Sequence, residues 1–283
     1  MYQIIDGKTV SAYVKQQVKD EVAILSENGR VPALAVIIVG NDPASKVYVG
    51  NKKKACEMTG MKSIEYALDE NTSEEELLEL IHKLNGDKEV NGILCQLPLP
   101  KHINEDKIID AIAPEKDVDG FSAVNVGKIW LGKYEISPCT PMGVIELLDY
   151  YKIPLEGKNC VIVGRSNIVG KPMAALLLEK NATVTVCHSR TKDLASFTKN
   201  ADVIVAAVGR ANFITADMVK DGAVVVDVGI NRLPSGKLCG DVDFDAVKEK
   251  ASFITPVPGG CGPMTIAVLM KNTLVAYKQQ NKI

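Results

Sequence analysis

The sequence has few of the residue patterns that mark metalloproteins and secreted proteins. Its seven cysteines are scattered, and no two of them form a Cys-x-x-Cys pair. Their odd number and their place within apolar runs are typical of reduced thiols that pack as small hydrophobic side chains in a cytosolic protein. The three histidines, His82, His102 and His188, lack metal-ligand spacing. We therefore expect a cytoplasmic location and no bound metal.

Long hydrophobic runs and a large net charge are also absent. No apolar stretch reaches the length of a transmembrane helix, and the N-terminus lacks the basic-then-apolar order of a signal peptide. With a net charge of −2, the chain has no broad basic surface of the kind that binds nucleic acid. We expect neither a membrane nor a nucleic acid as a partner.

The hydrophobic residues, 46% of a chain of 283, are sufficient for the cores of two domains of ordinary size. In the first part of the chain, strand-like apolar runs alternate with helical patterns. Apolar residues at helical spacing predict a first helix that ends at Asn28-Gly29, and Ser73 with Glu76 forms a capping box that opens a later helix. Strands are predicted at 34–39, 63–68 and 92–97. This alternation predicts a first parallel sheet.

A polar, turn-rich bridge at 113–120 leads to a second series of strands, predicted near 160–163, 183–187, 203–207, 223–228 and 253–255. We therefore predict an α/β protein of two domains. Residues 1–120 form the N-terminal α/β domain, and residues 121–263 form a Rossmann-like domain with a parallel sheet. The amphipathic helix 264–283 is expected to complete the first domain, because a terminal helix must bury its apolar face.

A glycine-rich turn follows the strand that ends at Val163. Gly164-Arg165-Ser166 and then Gly170 join this strand to a helix, as in a dinucleotide-binding βαβ unit whose helix N-terminus receives a pyrophosphate. The match to Gly-x-Gly-x-x-Gly is imperfect, because Ser166 and Val169 replace the second and third glycines. An ordinary tight turn of an α/β fold is the alternative.

The second strand of this unit ends in His188-Ser189-Arg190-Thr191, without a carboxylate. In NAD-binding proteins an acid at this position holds the ribose 2′-hydroxyl, whereas basic residues accommodate the 2′-phosphate of NADP. The sequence therefore favours NADP over NAD, with Arg165 as a guanidinium able to contact the phosphate.

Tyr48 and Lys52 lie four residues apart on a predicted helix, so they share a face. The helix follows a strand that ends in Gly40-Asn41-Asp42-Pro43, and ligands of open α/β sheets bind beyond the carboxyl ends of strands. A phenol beside an ammonium group could act as an acid/base or polarising pair. An exposed Tyr-Lys pair on an amphipathic helix is the alternative interpretation.

Further polar residues lie in or after apolar runs. Gln96 belongs to the run Gly92–Leu97, where a buried amide needs a partner: a substrate, a catalytic group or the local backbone. Asp117 and Asp119 either form turns or bind a ligand. Two stretches rich in proline and glycine, Pro138–Gly143 and Thr255–Thr265, lead into helices and could present backbone amides to a ligand.

Taken in order, these motifs resemble the bifunctional methylenetetrahydrofolate dehydrogenase/methenyltetrahydrofolate cyclohydrolase family. The resemblance extends from end to end of the chain. Its motifs are Val39–Ser45 with Tyr48-x-x-x-Lys52, Gly92–Pro100, Lys116–Phe121, Pro138–Pro141, Gly164–Ser166 with Val169–Pro172, Asp227–Asn231 and Thr255–Thr265.

The resemblance implies two reactions of one-carbon folate metabolism in one cleft between the domains. First, 5,10-methylenetetrahydrofolate loses a hydride to NADP⁺ and becomes the methenyl cation. Water then attacks this cation, and the ring opens to 10-formyltetrahydrofolate, a product that serves purine biosynthesis. The resemblance also implies a homodimer.

The resemblance assigns roles to individual residues. Lys52 is the key catalytic group of the cyclohydrolase step, Tyr48 stacks on the folate, Gln96 tunes the lysine and Asp119 anchors the pterin. The folate site further includes Leu97, Pro258 and Gly259. The cofactor site is lined by Gly164, Arg165, Ser166, Ser189 and Ile230.

The sequence departs from the family at Cys95 and Cys261, where an aliphatic residue, commonly Val, is expected. Both lie near the proposed site, which leaves thiol sensitivity open. Two alternatives are another NADP-linked dehydrogenase of small molecules and a non-catalytic folate- or nucleotide-binding protein. The first does not explain Gln96-Leu97-Pro98 or Lys116–Phe121, and the second does not explain the intact set of Tyr48, Lys52, Gln96 and Asp119.

Overall fold

The structure, a computed structural model, describes residues 2–26 and 29–283 and divides into two compact units. We call them by their sheets. The three-stranded unit comprises Ala12–Cys139 and Ile266–Ile283, and the six-stranded unit comprises the described residues up to Ser11 together with Thr140–Thr265.

The strands, in chain order, are β1 (Gln3–Ile4), β2 (Ala33–Val39), β3 (Lys62–Leu68), β4 (Gly92–Cys95), β5 (Asn159–Val163), β6 (Thr183–Cys187), β7 (Val203–Ala206), β8 (Val224–Asp227), β9 (Asn231–Arg232), β10 (Leu238–Cys239) and β11 (Phe253–Ile254). The helices are α1 (Gly7–Leu25), α2 (Pro43–Thr59), α3 (Glu74–Gly86), α4 (Glu105–Ala111), α5 (Ala123–Trp130), α6 (Cys139–Tyr150), α7 (Gly170–Glu179), α8 (Leu194–Thr198), α9 (Phe244–Val247) and α10 (Cys261–Asn281).

The three-stranded unit is built on a parallel sheet in the order β3-β2-β4. Every residue of β2 and β4 is buried, as expected for parallel strands covered on both faces. Their apolar side chains form a core with three residues of α3, namely Leu77, Ile81 and Leu84. The predicted capping box at the start of α3 is present, since Ser73 and Glu76 bond each other's backbone amides.

The helix α2 is positioned by local signals at both ends. The carboxylate of Asp42 accepts a hydrogen bond from the amide of Ser45, and Pro43 occupies the first turn, where its missing N–H costs nothing. Gly60, in the left-handed conformation, ends the helix. The chain therefore turns from β2 into α2 within three residues, and α2 begins at the carboxyl end of the sheet.

The six-stranded unit is a parallel sheet in the order β1-β11-β8-β7-β5-β6. From β5 the chain first adds β6 on one side and then returns to add β7 on the other. The strand order therefore reverses between β5 and β7. In open α/β sheets this switch point is where a ligand binds, beyond the carboxyl ends of the strands. The short strands β9 and β10 form an antiparallel hairpin beside this sheet.

The units differ from the predicted domain boundaries in two places. The start of the chain adds β1 to the six-stranded sheet rather than to the first domain. Residues 121–139 cluster with the three-stranded unit, as do residues 266–283 at the other end of the chain.

Two predicted element ends also differ from the structure. The strand predicted to reach Leu97 ends at Cys95. The first helix ends at Leu25, and Asn28, its predicted end, lies outside the described residues.

The described residues contain neither a membrane-spanning helix nor a metal-binding group of side chains. None of the helices in the part of the chain that the structure describes has the length and apolar character to cross a membrane. Within residues 2–26 and 29–283, no three His, Cys, Asp or Glu side chains form a group able to hold a metal ion.

Candidate active site

Lys52 lies on the buried side of α2. Val49, Cys56 and Thr59 define the same stripe at helical spacing, and all three are buried. Lys52 is only 8% exposed, whereas Lys53 and Lys54 are exposed. Burial lowers the pKa of Lys52 from its ordinary value of 10.5, and the nearby Asp119 carboxylate opposes this shift. The amine is therefore easier to deprotonate than a surface lysine.

Gln96 holds the buried amine through an oriented amide. Its backbone N–H extends the ladder by donating to the carbonyl of Ile37. Its side-chain Nε2 donates to the carbonyl of Leu97 at 2.7 Å, and its Oε1 accepts from Lys52 Nζ at 2.9 Å. Because the NH₂ group is used locally, the oxygen is the atom that faces the lysine. Gln96 is thus satisfied locally and also contacts the buried amine of Lys52.

Asp119 lies close enough to Lys52 for each to shift the pKa of the other. Burial raises the pKa of Asp119 to about 6, the positive charge of Lys52 opposes the shift, and the neighbouring Asp117 adds to it. The thiol of Cys139 is 3.8 Å from Asp119 Oδ1 and also donates to the carbonyl of Val118 at 3.4 Å. Lysine, amide, carboxyl and thiol thus form one cluster in the three-stranded unit.

A small recess lies beside this cluster in the three-stranded unit. Its wall is mostly apolar, with the carboxyl of Asp119 as a polar group, and includes Cys95, Leu97, Ile109, Ile112 and Phe121. Flat aromatic ligands are commonly held by apolar walls with a few oriented polar groups. Tyr48, 38% exposed, lies one turn before Lys52 on α2.

Two side chains build the Asp119 loop. Asp117 accepts hydrogen bonds from the amides of Gly120 and Ser122 and from Asn125 Nδ2, so it is the turn former that the sequence indicated. Asn272, on α10, donates to the carbonyls of Val118 and Ser137 at 2.9 and 2.8 Å. Asn272 was not predicted, because it lies in an amphipathic helix outside any motif.

The glycine-rich turn after β5 is shaped by close backbone contacts. A Cβ on Gly164, whose φ is +132°, would lie 2.1 Å from the carbonyl oxygen of Ala207, and one on Gly170 would lie 2.3 Å from the carbonyl oxygen of Gly164. Gly170 therefore allows the helix to pack on the turn, the role usually filled one residue earlier. Ser166 Oγ accepts from the amide of Val169 at the start of α7.

Other predicted cofactor residues surround this turn at the carboxyl ends of the strands. Arg165 and Ser166 are exposed, as is Ser189 after β6. Ile230, in the loop after β8, is 48% exposed. A tight turn that begins with glycine, an exposed serine and an exposed guanidinium suit a pyrophosphate and a 2′-phosphate, so these residues fit NADP.

Comparison with known proteins identifies the family. The sequence model described as tetrahydrofolate dehydrogenase/cyclohydrolase, catalytic domain, matches residues 5–119, and the one for the NAD(P)-binding domain matches residues 138–281. The chain belongs to this family. It is 62% identical, over 99% of its length and 100% of the relative, to the bifunctional protein FolD of Agathobacter rectalis.

Solved structures of the family agree with the fold. The bifunctional FolD enzyme of Campylobacter jejuni has a TM-score of 0.97 at 54% identity, with 100% of both chains covered. The dehydrogenase-cyclohydrolase of Trypanosoma brucei, complexed with NADP and an inhibitor, has a TM-score of 0.95 at 37% identity and covers 100% of this chain and 99% of its own. The predicted family, two-domain α/β fold, bifunctional activity and use of NADP are confirmed.

The remaining predicted folate residues of this family member lie in the six-stranded unit. Pro258 is exposed and Gly259 is buried, in the loop before α10. The two unusual cysteines are both buried, Cys95 on β4 and Cys261 at the first residue of α10. Burial raises the pKa of the Cys95 thiol to about 12, so it behaves as a small hydrophobic residue rather than as a thiolate.

Proposed function

We propose that Lys52, Gln96 and Asp119 are the catalytic and folate-binding centre of this methylenetetrahydrofolate dehydrogenase/cyclohydrolase. The observation that carries the proposal is the buried amine of Lys52, which donates to Gln96 Oε1 at 2.9 Å beside the Asp119 carboxyl. Lysines are rarely found on the buried stripe of a helix. A lysine that acts as a base near neutral pH requires a lowered pKa, which burial provides.

Asp119 would anchor the folate at the recess. A pterin ring carries N–H donors on one edge, and a carboxylate accepts two of them side by side. The apolar wall, including Leu97, would cover the faces of the ring, and Tyr48 would stack on the exposed part of the substrate. We also assign Pro258 and Gly259 to the folate site, on the basis of their family motif.

Hydride transfer depends more on the alignment of the folate with the nicotinamide than on acid or base catalysis. When bound, NADP⁺ supplies the acceptor for the hydride that leaves the methylene carbon. The chain's part is to hold both reactants, and positioning alone can account for a large share of such a rate enhancement. Gly164, Arg165, Ser166, Ser189 and Ile230 would hold the cofactor, with Arg165 on the 2′-phosphate.

Hydration of the methenyl cation needs a proton acceptor. As the water oxygen bonds to the methenyl carbon, its proton would pass to the neutral Nζ of Lys52. The carbon-bound hydroxyl then loses its proton and becomes the formyl C=O as the bond from this carbon to N5 breaks, N5 takes up a proton, and the formyl group remains on N10. The net reaction adds water and releases one proton. Gln96 keeps Nζ in place by accepting from it.

The test compares neighbouring lysines of α2. Lys52→Met is expected to lower the cyclohydrolase rate by about 10²–10⁴-fold, the typical effect of a positioned acid/base group. Dehydrogenase activity should fall far less, so the methenyl product accumulates and is detected by its absorbance.

Lys53→Met and Lys54→Met are the matched controls, because both side chains are exposed on the same helix. Both variants should keep the two activities. Cyclohydrolase activity that survives in Lys52→Met, or that falls equally in Lys53→Met, would remove Lys52 from this role.

We further propose a cytoplasmic homodimer. Its folate domain would comprise residues 1–120 with helix 264–283, its NADP domain residues 121–263, and its product would feed purine biosynthesis. The seven cysteines are all free thiols, which supports a reducing compartment. Analytical ultracentrifugation tests the dimer: a single species of one-chain mass at micromolar concentration would contradict it.

A further inference from the structure

Asp241 is a fully buried carboxylate in the six-stranded unit whose two oxygens are both occupied. Oδ2 accepts from the amides of Val208 and Gly209 at 2.6 and 2.9 Å. Oδ1 accepts from the amide of Arg210 at 2.8 Å and from Asn231 Nδ2 at 2.9 Å. The side chain is 0% exposed. Four donors thus converge on one buried side chain and occupy both of its oxygens.

Three of these donors are consecutive backbone amides in the loop that follows β7. Consecutive N–H groups that converge on one point form a nest, an arrangement that usually binds an external anion such as phosphate. Here the protein fills the nest with its own carboxylate. The nest therefore serves to fix the loop.

A second buried carboxylate tightens the same connection. Asp227, at the end of β8, accepts from the amides of Gly229, Asp241 and Val242. The fit leaves no room for side chains: a Cβ on Gly229 would lie 2.2 Å from the Asp241 carboxylate, and one on Gly240 would lie 1.9 Å from Asp227 Oδ2. The two aspartates and the two glycines thus interlock the loop after β8 with residues 240–242.

The loops joined by Asp241 flank the switch point of the sheet. The loop 208–210 continues from Ala207, whose carbonyl lies against Gly164 in the glycine-rich turn. The loop after β8 carries Ile230, which lies between two residues held by this network, Gly229 and Asn231. Asp241 therefore connects the loop that continues from the glycine-rich turn's neighbour Ala207 with the loop that carries Ile230.

We propose that Asp241 is a positioning residue for the dinucleotide site: it binds the loops after β7 and β8 to each other and so holds Ile230 in place for NADP. The inference rests on the proposed cofactor residues. It assigns to Asp241 an effect on NADP affinity and on hydride transfer, and none on the Lys52 cluster of the three-stranded unit.

The test is Asp241→Asn, which keeps size and replaces one acceptor oxygen by an NH₂ group that faces N–H donors. The dissociation constant for NADPH, measured by fluorescence titration, should rise about tenfold or more, the effect of losing one or two hydrogen bonds to a charged group. The KM for NADP⁺ should rise in parallel. Cyclohydrolase kcat/KM, assayed with methenyltetrahydrofolate and without NADP, should stay within about twofold of the wild type.

The matched control is Asp243→Asn, which removes the same charge two residues away and should leave NADPH binding unchanged. Asp241→Asn with an unaltered NADPH dissociation constant, or with binding and cyclohydrolase activity reduced equally, would overturn the proposal. If Asp241→Asn does not fold, Asn231→Ala removes one donor only and should weaken NADPH binding by about three- to tenfold. Unchanged binding in Asn231→Ala would then overturn it.

Arg165→Ala separates this proposal from the cofactor site on which it rests. It should weaken binding of NADPH but hardly that of NADH, because it removes a contact to the 2′-phosphate. If Arg165→Ala weakens NADPH binding and Asp241→Asn does not, the cofactor residues stand and the role of Asp241 fails. If neither variant has an effect, the cofactor residues themselves are wrongly assigned.

Discussion

At the scale of single residues, the candidate site depends on two neighbouring ionisable groups, a buried lysine and a partly buried aspartate. An ammonium group and a carboxyl group are each costly to bury alone, and each reduces the cost of the other. Lys52 is displaced toward its neutral form, and the pKa of Asp119 rises to about 6. A lysine that can take up a proton beside a carboxyl that can bind N–H donors suits a hydrolytic step on a cationic folate.

The raised pKa of Asp119 predicts how folate binding depends on pH. Above pH 6 the carboxyl is ionised and accepts hydrogen bonds from the pterin, and below pH 6 its protonation competes with the ligand. The dissociation constant of tetrahydrofolate, measured anaerobically by calorimetry, should therefore rise about tenfold for each unit of pH below about 6.

Asp119→Asn is the control, because it has no proton to gain in this range. Its affinity should be low and nearly constant between pH 5 and pH 7. If wild type and Asp119→Asn show the same pH profile, the titrating group is another residue.

At the scale of secondary-structure elements, the start of α7 sets the geometry of the cofactor turn. Gly170 is the first residue of the helix, and the backbone of Gly164 and Arg165 lies where its side chain would be. The amides of Val169 and Gly170 donate to Ser166 Oγ and that of Lys171 donates to the Ser166 carbonyl, so this close packing fixes the backbone between β5 and α7.

Gly170→Ala is expected to displace α7 from the turn. The added Cβ would overlap backbone atoms, which cannot move as a flexible side chain could, so the free energy of unfolding should fall by about 1–3 kcal/mol. The affinity for NADPH, measured by fluorescence titration, should fall as well. Urea denaturation measures the change in the free energy of unfolding.

The matched control for this change is Gly127→Ala in α5, where nothing lies within 4 Å of the added Cβ. There the substitution should stabilise the protein by about 0.5–1 kcal/mol, because alanine favours the helix. An increased free energy of unfolding in Gly170→Ala would show that the turn accommodates the added methyl group without loss of stability.

The elements were more predictable from the sequence than the contacts between them. The buried strands β2 and β5 are continuous apolar runs, and capping residues define α3, so local patterns are sufficient there. The strand β1 and its pairing with β11 were not predicted, because two residues carry no periodicity. Lys52 could be found at helical spacing from Val49 and Cys56, whereas Asp241 bonds backbone amides more than thirty residues away and has no local signature.

At the scale of the whole molecule, the group proposed for hydrolysis and the residues proposed for the cofactor lie in different units. The proposed proton acceptor Lys52 lies in the three-stranded unit, and the glycine-rich turn lies in the six-stranded unit. Each unit has its own parallel sheet and its own buried core. A change that removes only the proton acceptor Lys52, or only cofactor binding, should therefore remove one activity and leave the other.

This separation predicts that two damaged proteins can complete the reaction sequence together. Lys52→Met should form the methenyl compound but not hydrolyse it, and Gly170→Ala, if it binds NADP poorly, should hydrolyse it but not form it. A mixture of the two, given methylenetetrahydrofolate and NADP⁺, should form 10-formyltetrahydrofolate after a lag in which the released methenyl absorbance rises and then falls.

The length of the lag should shorten as more of the Gly170→Ala variant is added, because hydrolysis then depends on encounter with the free intermediate. Each variant alone is the control, and Lys52→Met alone should show the rise without the fall beyond the rate of spontaneous hydrolysis. If the mixture forms 10-formyltetrahydrofolate no faster than Lys52→Met alone does, the six-stranded unit also supplies a group to the hydrolytic step. The proposed separation of the hydrolytic group, Lys52, from the cofactor residues would then be wrong.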